Sequence, residues 1–574
     1  MTTALTPTQR SSALAALGSE KFDVLVIGGG VTGAGIALDA ASRGLRTAIV
    51  EAQDWASGTS SRSSRLVHGG LRYLYNLDFA LVAEALAERG RLLTTIAPHL
   101  VEAQPFLWPL KRRVIERAYS ALGVGLYDAM AIAGAGWKKS VPVQKHLSHQ
   151  GALQRFPEID PTSMIGAIEF YDARVDDARL VITLVRTALA HGAVAASRTA
   201  VTAVTKDGAR VTGAVVRDVE TGEQITVSAT HVINATGVWT EQTQDLAGGT
   251  GGLKVLASKG VHILVPRERL TAQSGLFLRT EKSVLFVIPW QHYWVIGTTD
   301  TAWHEPLKHP VPSAADIDYV LEQANQVLAS PLTHQDIIGT YAGLRPLLQP
   351  KVQDESASTK VSREHTVTEG APGMTAIAGG KLTTYRVMAS DAVDFALGDA
   401  ATARPSVTAD LPLLGATGFE ELRARAAEIS ASYGIETGEV THLLRRYGSE
   451  LGDVLALIDQ DPSLGRPLAA APQYLRADVH RACVVEGALH LEDILVARVR
   501  LNSESADRGA SAVDEVAEIA APLLGWDDAR VEAEKQNYRD RVAAELAAQE
   551  QPDDAAAAAA RLEAADIVGD GLLG

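Results

Sequence analysis

Apolar and small residues near the N-terminus follow the order strand, turn, helix, strand. Residues 22–27 form an apolar run of strand length, and the sequence GGGVTG follows at 28–33. No proline interrupts residues 34–43, whose small and apolar side chains favour a helix. A second apolar run at 47–50 ends in Glu51. The pattern predicts a βαβ unit with an acid at the tip of its second strand.

The spacing of the glycines and the acid is typical of a dinucleotide site. Gly28 permits a tight turn, Gly30 lets the backbone approach a pyrophosphate, and Gly33 lets the helix pack on the strand. The start of the helix offers free N–H groups and the positive end of the helix dipole to the phosphates. Glu51 can accept hydrogen bonds from a ribose. This motif alone does not separate NAD from FAD.

A polar stretch follows the second strand. Residues 52–74 are rich in Ser, Thr and Gly and carry several basic side chains. Such a stretch cannot bury itself as a strand, whereas its hydroxyl and N–H groups can surround a polar ligand. A solvated loop is the alternative, although loops this long usually have a function.

Periodicity predicts the remaining elements of the first 400 residues. Turn signals at Asp207-Gly208 and Thr221-Gly222 separate three strands, and a further strand runs into Thr236-Gly237. Three later apolar runs have the spacing of an antiparallel sheet. The predicted helices are 78–96, 175–192 and 382–397, and the predicted strands are 200–205, 211–218, 223–229, 231–235, 261–266, 284–289, 293–298 and 374–378.

Prolines at 405 and 412 mark a linker to a helical C-terminal part. We interpret its helices as packing and dimer contacts, and the alanine-rich end from 552 as a frayed helix or a tail. Residues 1–20 lack a basic region and a long apolar core, and we interpret them as a short arm that is not a signal peptide. The predicted C-terminal helices are 419–433, 436–447, 477–501, 511–522 and 527–549.

Composition narrows the classes of protein. Apolar residues make up 46% of 574, enough for a large core and two to four domains. The net charge of −16 argues against a nucleic-acid partner, which requires a basic face. The single cysteine, Cys483, allows neither an intrachain disulfide nor a cysteine metal site. The lack of a disulfide fits a reducing cytoplasm or simple indifference to redox state. We expect a cytoplasmic protein, and we assign no metal-binding residue.

One segment departs from the acidic balance. Residues 111–139 contain six basic and two acidic side chains, a local net of +4, around an apolar middle. Basic ends, an interfacial Trp and an apolar centre suit a helix lying in a membrane interface. A core helix with solvated ends is the alternative. No apolar window is long enough for a spanning helix, so only surface contact with an anionic membrane is expected.

Several ordered motifs resemble one family. The sequence GGGVTGAGIALDAASRG, the stretch 51–74, and later segments resemble the FAD-dependent glycerol-3-phosphate dehydrogenases of aerobic respiration. The resemblance runs from about residue 20 to about 400 and is weaker through the helical C-terminal part. Its later segments are VDDARL at 175–180, NATGVW at 234–239, IGTTD at 296–300, GLRPL at 343–347 and GGKLTTYR at 379–386.

The resemblance implies a fold and a reaction. The fold is α/β, with a Rossmann-like FAD-binding domain, an antiparallel β-sheet substrate domain and an all-α C-terminal domain. The reaction is oxidation of sn-glycerol 3-phosphate to dihydroxyacetone phosphate, by hydride transfer from C2 to flavin N5, with a membrane quinone as electron acceptor. The enzyme is expected as a homodimer, peripheral on the inner face of the cell membrane. The expected domains are 20–90, 165–255 and 340–400 for FAD; 91–164 and 256–339 for substrate; 405–550 for the helices; and 551–574 for the tail.

The same resemblance assigns the candidate site residues. His262 matches the family's active-site histidine, and histidine suits proton abstraction near neutral pH. Arg345 and Arg363 match arginines that meet the substrate phosphate, with Arg72, Tyr73 and Thr298 as further substrate contacts. Lys381 places a cation near the flavin; whether Lys381 or His262 takes the proton stays open. The FAD contacts expected are Gly28, Gly30, Thr32, Gly33, Glu51, Thr59, Ser60, Ser61, His68, Gly69, Gly70, Asn234, Ala235, Gly237, Gly343, Gly380, Lys381, Leu382 and Thr383.

Other functions share these motifs. A glycerol-3-phosphate oxidase of the same fold would pass electrons to oxygen and form peroxide. An amine or 2-hydroxy-acid oxidoreductase would place a carboxylate against the arginines. A flavin-bearing scaffold or an RNA-modifying protein is disfavoured by the acidic balance and by the number of matched site residues.

Overall fold

The computed structural model describes residues 3–70, 78–111, 125, 141–248, 252–280, 284–349 and 365–568. The predicted interfacial segment 111–139, apart from Lys111 and Gly125, lies outside these residues, as do Arg72, Tyr73 and Arg363.

The predicted βαβ unit is confirmed at the centre of the first sheet. Strand Lys21–Ile27 pairs in parallel with Thr47–Val50 on one side and with Gln224–Asn234 on the other. Helices Val31–Ser42, Asp177–Ala190 and Tyr385–Leu397 share one apolar core with these strands. In the described chain the sheet also contains Val194–Ala196, Thr199–Asp207, Arg210–Asp218, Thr366–Ala371 and Met374–Ala378.

The second sheet of the described chain is mostly antiparallel. The three runs predicted to form an antiparallel sheet do so, because Tyr293–Gly297 pairs with both Val255–Pro266 and Val284–Pro289. Strands Gly166–Val175 and Gly339–Leu348, assigned from sequence to the cofactor domain, pair in this sheet, and the domain boundaries remain a proposal. Its other described strands are Leu66–Val67, Val101–Leu110, Lys145–Ser148, Gly275–Arg279 and Thr301–Ala302.

Two local predictions differ from the structure in the N-terminal half. The segment that we interpreted as a short arm packs on the body, because Pro7–Ser19 is an α-helix that buries Leu17 and pairs Arg10 with Asp218. The two strands predicted at 223–229 and 231–235 are one strand, Gln224–Asn234. The first half of this strand pairs antiparallel with Arg210–Asp218, and its second half pairs in parallel with Lys21–Ile27. Polar residues at the junction interrupt the hydrophobic pattern but not the strand itself. Further described helices are Phe79–Arg91, His149–Arg155, Thr240–Asp245 and Ala314–Asn325.

The C-terminal part is helical as predicted, but two of its helices are broken. The predicted helix 419–433 divides at Arg425. The predicted helix 477–501 ends at Val484, and a π-helical turn follows at Asp493–Arg498, because the intervening chain places Glu486 against Arg179. The described helices here are Phe419–Ala424, Ala426–Tyr433, Thr437–Tyr447, Leu451–Gln460, Arg476–Val484, Leu501–Glu504, Val513–Leu524, Asp528–Gln549 and Asp554–Leu562.

The end of the chain packs against the body. Helix Asp554–Leu562 buries Ala557 and Ala558, so the alanine run is neither frayed nor a loose tail within the described residues. Among the helices that the structure describes, none has the length and apolar character needed to cross a membrane.

Candidate active site

The glycine turn after the first strand forms a cradle that side chains would fill. Gly28 has φ +108°, and a Cβ there would lie 2.7 Å from the Ala235 carbonyl oxygen. A Cβ at Gly33 would lie 1.8 Å from the Gly28 carbonyl oxygen, which is why this position packs the helix on the turn. Helix Val31–Ser42 begins at Gly30 without a side-chain cap. The Val31 N–H donates to Ser60 Oγ at 2.9 Å, so the remaining N–H groups of the first turn are the ones that suit an anionic ligand.

Glu51 is fixed beside this turn. Its carboxylate accepts hydrogen bonds from the backbone N–H of Gly29 (2.6 Å) and of Gln53 (2.8 Å). Burial raises its pKa, and these hydrogen bonds oppose that effect. Each carboxylate oxygen keeps a lone pair for a further donor, so Glu51 can hold the turn and still accept a ribose hydroxyl.

A cleft with about 260 Å³ of internal volume opens along the turn. It runs between the first sheet, the loop after Glu51 and the C-terminal helices, and it gathers most of the cofactor contacts expected from the sequence. Those that line it are Gly28, Gly30, Thr32, Glu51, Thr59, Ser60, Ser61, Ala235, Gly237, Gly380, Lys381 and Leu382.

The other expected cofactor residues lie behind the cleft wall. Asn234 donates to the Thr240 carbonyl oxygen (3.0 Å) and accepts from Thr236 N–H (3.2 Å), which shapes the turn at 235–237. Thr383 exchanges hydrogen bonds with the backbone of His68, both at 3.0 Å. The Asn234 bonds are local to residues 234–240, whereas the Thr383 bonds join two segments that are distant in the chain. Outside the lining set are Gly33, His68, Gly69, Gly70, Asn234, Gly343 and Thr383.

His262 lies on strand Val255–Pro266 in the second sheet. Its Nε2 is 2.8 Å from Ser64 Oγ, and its ring stacks on Tyr341 with centroids 4.8 Å apart. The side chain is buried, and no described residue is a hydrogen-bond partner of its Nδ1. Burial, and then the positive charges of Arg345 and Arg65, hold its pKa well below the ordinary value, so the ring is neutral at neutral pH.

Arg345 and Thr298 meet next to this histidine. Arg345 donates to Thr298 Oγ1 (3.0 Å), to the Thr299 carbonyl oxygen (3.1 Å) and to Asp300 (3.2 Å). A Cβ at Gly297 would lie 2.4 Å from His262, so the strand end that carries Thr298 runs directly beside the ring. The structure thus brings His262, Thr298 and Arg345 together.

Several residues of this site were not singled out from the sequence. Ser64 lies within the polar stretch 52–74, where serine carries no specific signal. Tyr341 and Asp300 reach the site only through strand pairing, since Tyr341 is opposite His262 in the register of the second sheet. Arg65 is buried among the rings of Trp290, Tyr293 and Tyr341. Only its basic charge was visible in the sequence.

The C-terminal part also reaches the cleft, which the sequence did not predict. Glu492, Asp493 and Val496 line it from the π-helical turn, and residues 566–568 line it from the end of the described chain. Asp54, in the same wall, forms a two-pronged ion pair with Arg498 at 2.6 and 2.8 Å. The cleft is therefore closed by residues far apart in the chain.

Family models match nearly the whole chain. Residues 23–386 match a model described as FAD dependent oxidoreductase. Residues 406–531 match the C-terminal domain of alpha-glycerophosphate oxidase. The first match spans both sheets and every described residue of the candidate site except those of the C-terminal part.

Relatives match over similar lengths. Glycerol-3-phosphate dehydrogenase 2 of Mycobacterium tuberculosis (strain ATCC 25618 / H37Rv) is 53% identical over 555 residues, covering 96% of this chain and 94% of that protein. The mitochondrial glycerol-3-phosphate dehydrogenase of Homo sapiens is 34% identical, with 93% of this chain and 75% of the human protein covered. The structure of glycerol-3-phosphate dehydrogenase from Bacillus halodurans complexed with FAD superposes with a TM-score of 0.75 at 27% identity, covering 94% of this chain and 98% of that one.

Proposed function

The chain belongs to the family of FAD-dependent glycerol-3-phosphate dehydrogenases, and on this premise we propose that it oxidises sn-glycerol 3-phosphate to dihydroxyacetone phosphate and passes the electrons to a membrane quinone. The observation that carries the proposal is the pairing of two sites. Ser61 and Pro346 line the cleft that holds the glycine cradle; three residues after Ser61, Ser64 contacts the neutral buried His262, and Arg345 directly precedes Pro346.

The cleft residues fit FAD by their chemistry. The cradle around Gly30, which a larger side chain would fill, and the N–H groups of the helix start other than that of Val31 suit a pyrophosphate. Glu51 would hold the ribose, and Lys381 would place positive charge beside the flavin. When bound, FAD supplies a two-electron acceptor for the hydride that leaves C2 of the substrate.

The second sheet would bind and deprotonate the substrate. Arg345 offers a planar guanidinium fork to the phosphate dianion, and its bonds to Thr298 and Thr299 hold that fork in place. As C2 loses its hydride, the C2 hydroxyl must lose its proton so that the carbonyl can form. His262 is neutral and can accept that proton. Ser64 holds one ring nitrogen, which leaves the other, Nδ1, for the substrate hydroxyl.

The test is anaerobic reduction of the purified enzyme. Addition of glycerol 3-phosphate should bleach the flavin absorption band and yield dihydroxyacetone phosphate in equal amount. Glycerol, lactate and sarcosine, added under the same conditions, should leave the band nearly unchanged. Bleaching by sarcosine or lactate at a comparable rate would contradict the proposed substrate.

The match to an oxidase C-terminal model supports a second candidate, in which oxygen is the acceptor. Oxygen uptake with glycerol 3-phosphate and no added quinone distinguishes the two. A dehydrogenase should consume oxygen slowly and reduce a quinone analogue at least about 10-fold faster. A 10-fold ratio of rates corresponds to a barrier difference of about 1.4 kcal/mol. Equal or faster turnover with oxygen would favour the oxidase.

A further inference from the structure

The last helix is anchored to the substrate side of the molecule. Lys259 is fully buried and forms ion pairs with both Asp316 and Asp554. Its ammonium also lies over the ring of Trp303, at 5.2 Å. Asp554 belongs to the first turn of helix Asp554–Leu562, so the helix starts at a fixed point. A buried cation with two carboxylate partners holds this helix firmly.

Beyond the helix, the chain returns to the cleft wall. Arg561 donates to the Ala564 carbonyl oxygen (3.3 Å), which folds the next residues back. Asp566 then forms an ion pair with Lys308 and lies 2.8 Å from His309 Nε2. Lys308 and His309 belong to the loop after strand Thr301–Ala302, so the contact joins the end of the described chain to the second sheet.

Both sides of this contact line the cofactor cleft. Lys308, His309 and residues 566–568 share the cleft with the glycine turn, Glu51 and Lys381. Ile567 and Val568 are half-buried there and give the wall an apolar surface. We define residues 563–568 as the C-terminal strap.

We propose that the C-terminal strap forms part of the FAD-binding wall and slows the release of FAD. A ligand in the cleft touches a wall that Asp566 joins to Lys308 and His309, and Asn537 also holds the strap by donating to the Ala565 carbonyl oxygen at 2.8 Å. Charged hydrogen bonds in a half-buried site resist separation, so opening this wall adds to the barrier for release. The inference rests on FAD as the cofactor and does not depend on the substrate or on the electron acceptor.

The experiment measures FAD release from the holoenzyme without substrate. After dilution or a temperature jump, free flavin is followed by its fluorescence. Truncation after Leu562 removes the strap and the residues that follow it but keeps helix Asp554–Leu562 and its pair with Lys259, whereas Asp566→Ala removes only the contacts with Lys308 and His309. Both should release FAD about 10-fold to 100-fold faster than the full chain, as expected for loss of charged hydrogen bonds.

Glu563→Gln is the matched control. Glu563 is an exposed carboxylate in the strap, three residues before Asp566, and its substitution should leave the release rate unchanged. Far-ultraviolet circular dichroism and the thermal midpoint of each apoprotein check that the fold is kept. If the truncated chain and Asp566→Ala both release FAD at the rate of the full chain, the strap does not retain the cofactor and the proposal is overturned.

Discussion

His262 is neutral because burial and two arginines disfavour its charged form. We predict that His262→Asn lowers kcat by about 100-fold to 10,000-fold, the usual range for loss of a general base, with full flavin content. The acid limb of the kcat/KM profile should lie well below pH 6.5, because the pKa of the ring is lowered. Steady-state assays with a soluble dye across pH 5 to 9 measure both.

His231→Asn is the control for this experiment. His231 is a half-buried histidine on the strand Gln224–Asn234, and its replacement should leave kcat within a factor of about two, as most substitutions outside a site do. If His262→Asn kept the wild-type kcat, another residue would be the proton acceptor, and Lys381 would be the next candidate.

Arg345 is the residue that we expect to bind the substrate phosphate. Arg345→Ala loses both charge and fork geometry, and a charged hydrogen bond contributes about 1.5–3 kcal/mol. We therefore predict a fall in kcat/KM of about 10-fold to 100-fold, with Arg345→Lys between that variant and wild type. Flavin content should stay full.

Glycerol, which has no phosphate, provides the control for Arg345. Its weak turnover should barely change in Arg345→Ala. A fall by the same factor for glycerol and for glycerol 3-phosphate would show that Arg345 supports the fold instead, through Asp300 and Thr298. Arg363 and Arg72 would then be the next phosphate partners to test.

A site residue can be identified from the sequence when its type and its spacing from neighbouring motif residues are specific to one function. Gly28 and Glu51 could be identified because a tight turn and an acid about 20 residues later define the dinucleotide-binding motif. Ser64 and Tyr341 could not be identified from the sequence, because both are distant from His262 in the chain. Ser64 contacts the ring from the loop after Glu51, and Tyr341 stacks on it from the neighbouring strand.

The turn between the first strand and the first helix of the βαβ unit leaves space around Gly30. A Cβ at Gly30 would lie 3.1 Å from Ser60 Oγ, a contact that a small shift of Ser60 relieves. Gly30→Leu should therefore fold, but its longer side chain should occupy the cradle and yield colourless protein. The flavin-to-protein absorbance ratio measures this effect.

Gly33→Leu separates loss of cofactor from loss of fold. Its Cβ would overlap the Gly28 carbonyl oxygen at 1.8 Å, so the helix cannot keep its place on the turn and the thermal midpoint should also fall. A yellow Gly30→Leu enzyme with full flavin content would contradict the placement of the pyrophosphate.

Elements were predictable where one pattern dominates and were missed where tertiary contacts override it. Strand Val101–Leu110 contains Pro105 and Pro109, which argue against a strand, yet it pairs along its whole length with Gly166–Val175. The predicted helix 477–501 breaks because Glu486 is buried against Arg179, a partner about 300 residues away that no local pattern reveals.

Contact with a membrane concerns the whole molecule. Since residues 111–139, apart from Lys111 and Gly125, lie outside the described chain, the prediction rests on the basic excess of this segment. Changing Arg112, Arg113 and Arg117 to Glu should release the enzyme from anionic vesicles, because each basic residue near such a surface contributes about 1 kcal/mol. Sedimentation with vesicles measures binding, and activity with a soluble dye should survive.

A charge-matched variant controls for the change in net charge. Arg423, Arg425 and Arg539 are exposed arginines of the C-terminal helices, and changing these three to Glu alters the total charge by the same amount. It should leave vesicle binding largely intact. If this variant detaches and the first does not, the contact lies on the C-terminal helices.

The C-terminal helices are joined to the first sheet through a buried histidine. His490 Nε2 is 2.9 Å from Glu220, which lies in a turn of the first sheet. Its Nδ1 is 2.8 Å from Glu534 on helix Asp528–Gln549. Although burial alone would lower it, these two carboxylates raise the pKa of His490 to about 9, so the ring is charged at neutral pH.

This arrangement predicts how the stability of the molecule depends on pH. A folded pKa of about 9 exceeds the ordinary value near 6.5, so the contribution is complete below pH 6.5 and is lost as pH rises through 9. Its upper limit is about 3 kcal/mol between pH 6 and pH 10. His490→Gln is uncharged at every pH, so the thermal midpoint of the variant should lie below that of wild type at pH 7, and the difference should shrink towards pH 10.

His334→Gln, at an exposed ion pair with Asp318, should match wild type throughout. A constant gap between wild type and His490→Gln from pH 6 to pH 10 would mean that His490 joins the two parts by packing alone and carries no proton that matters for stability.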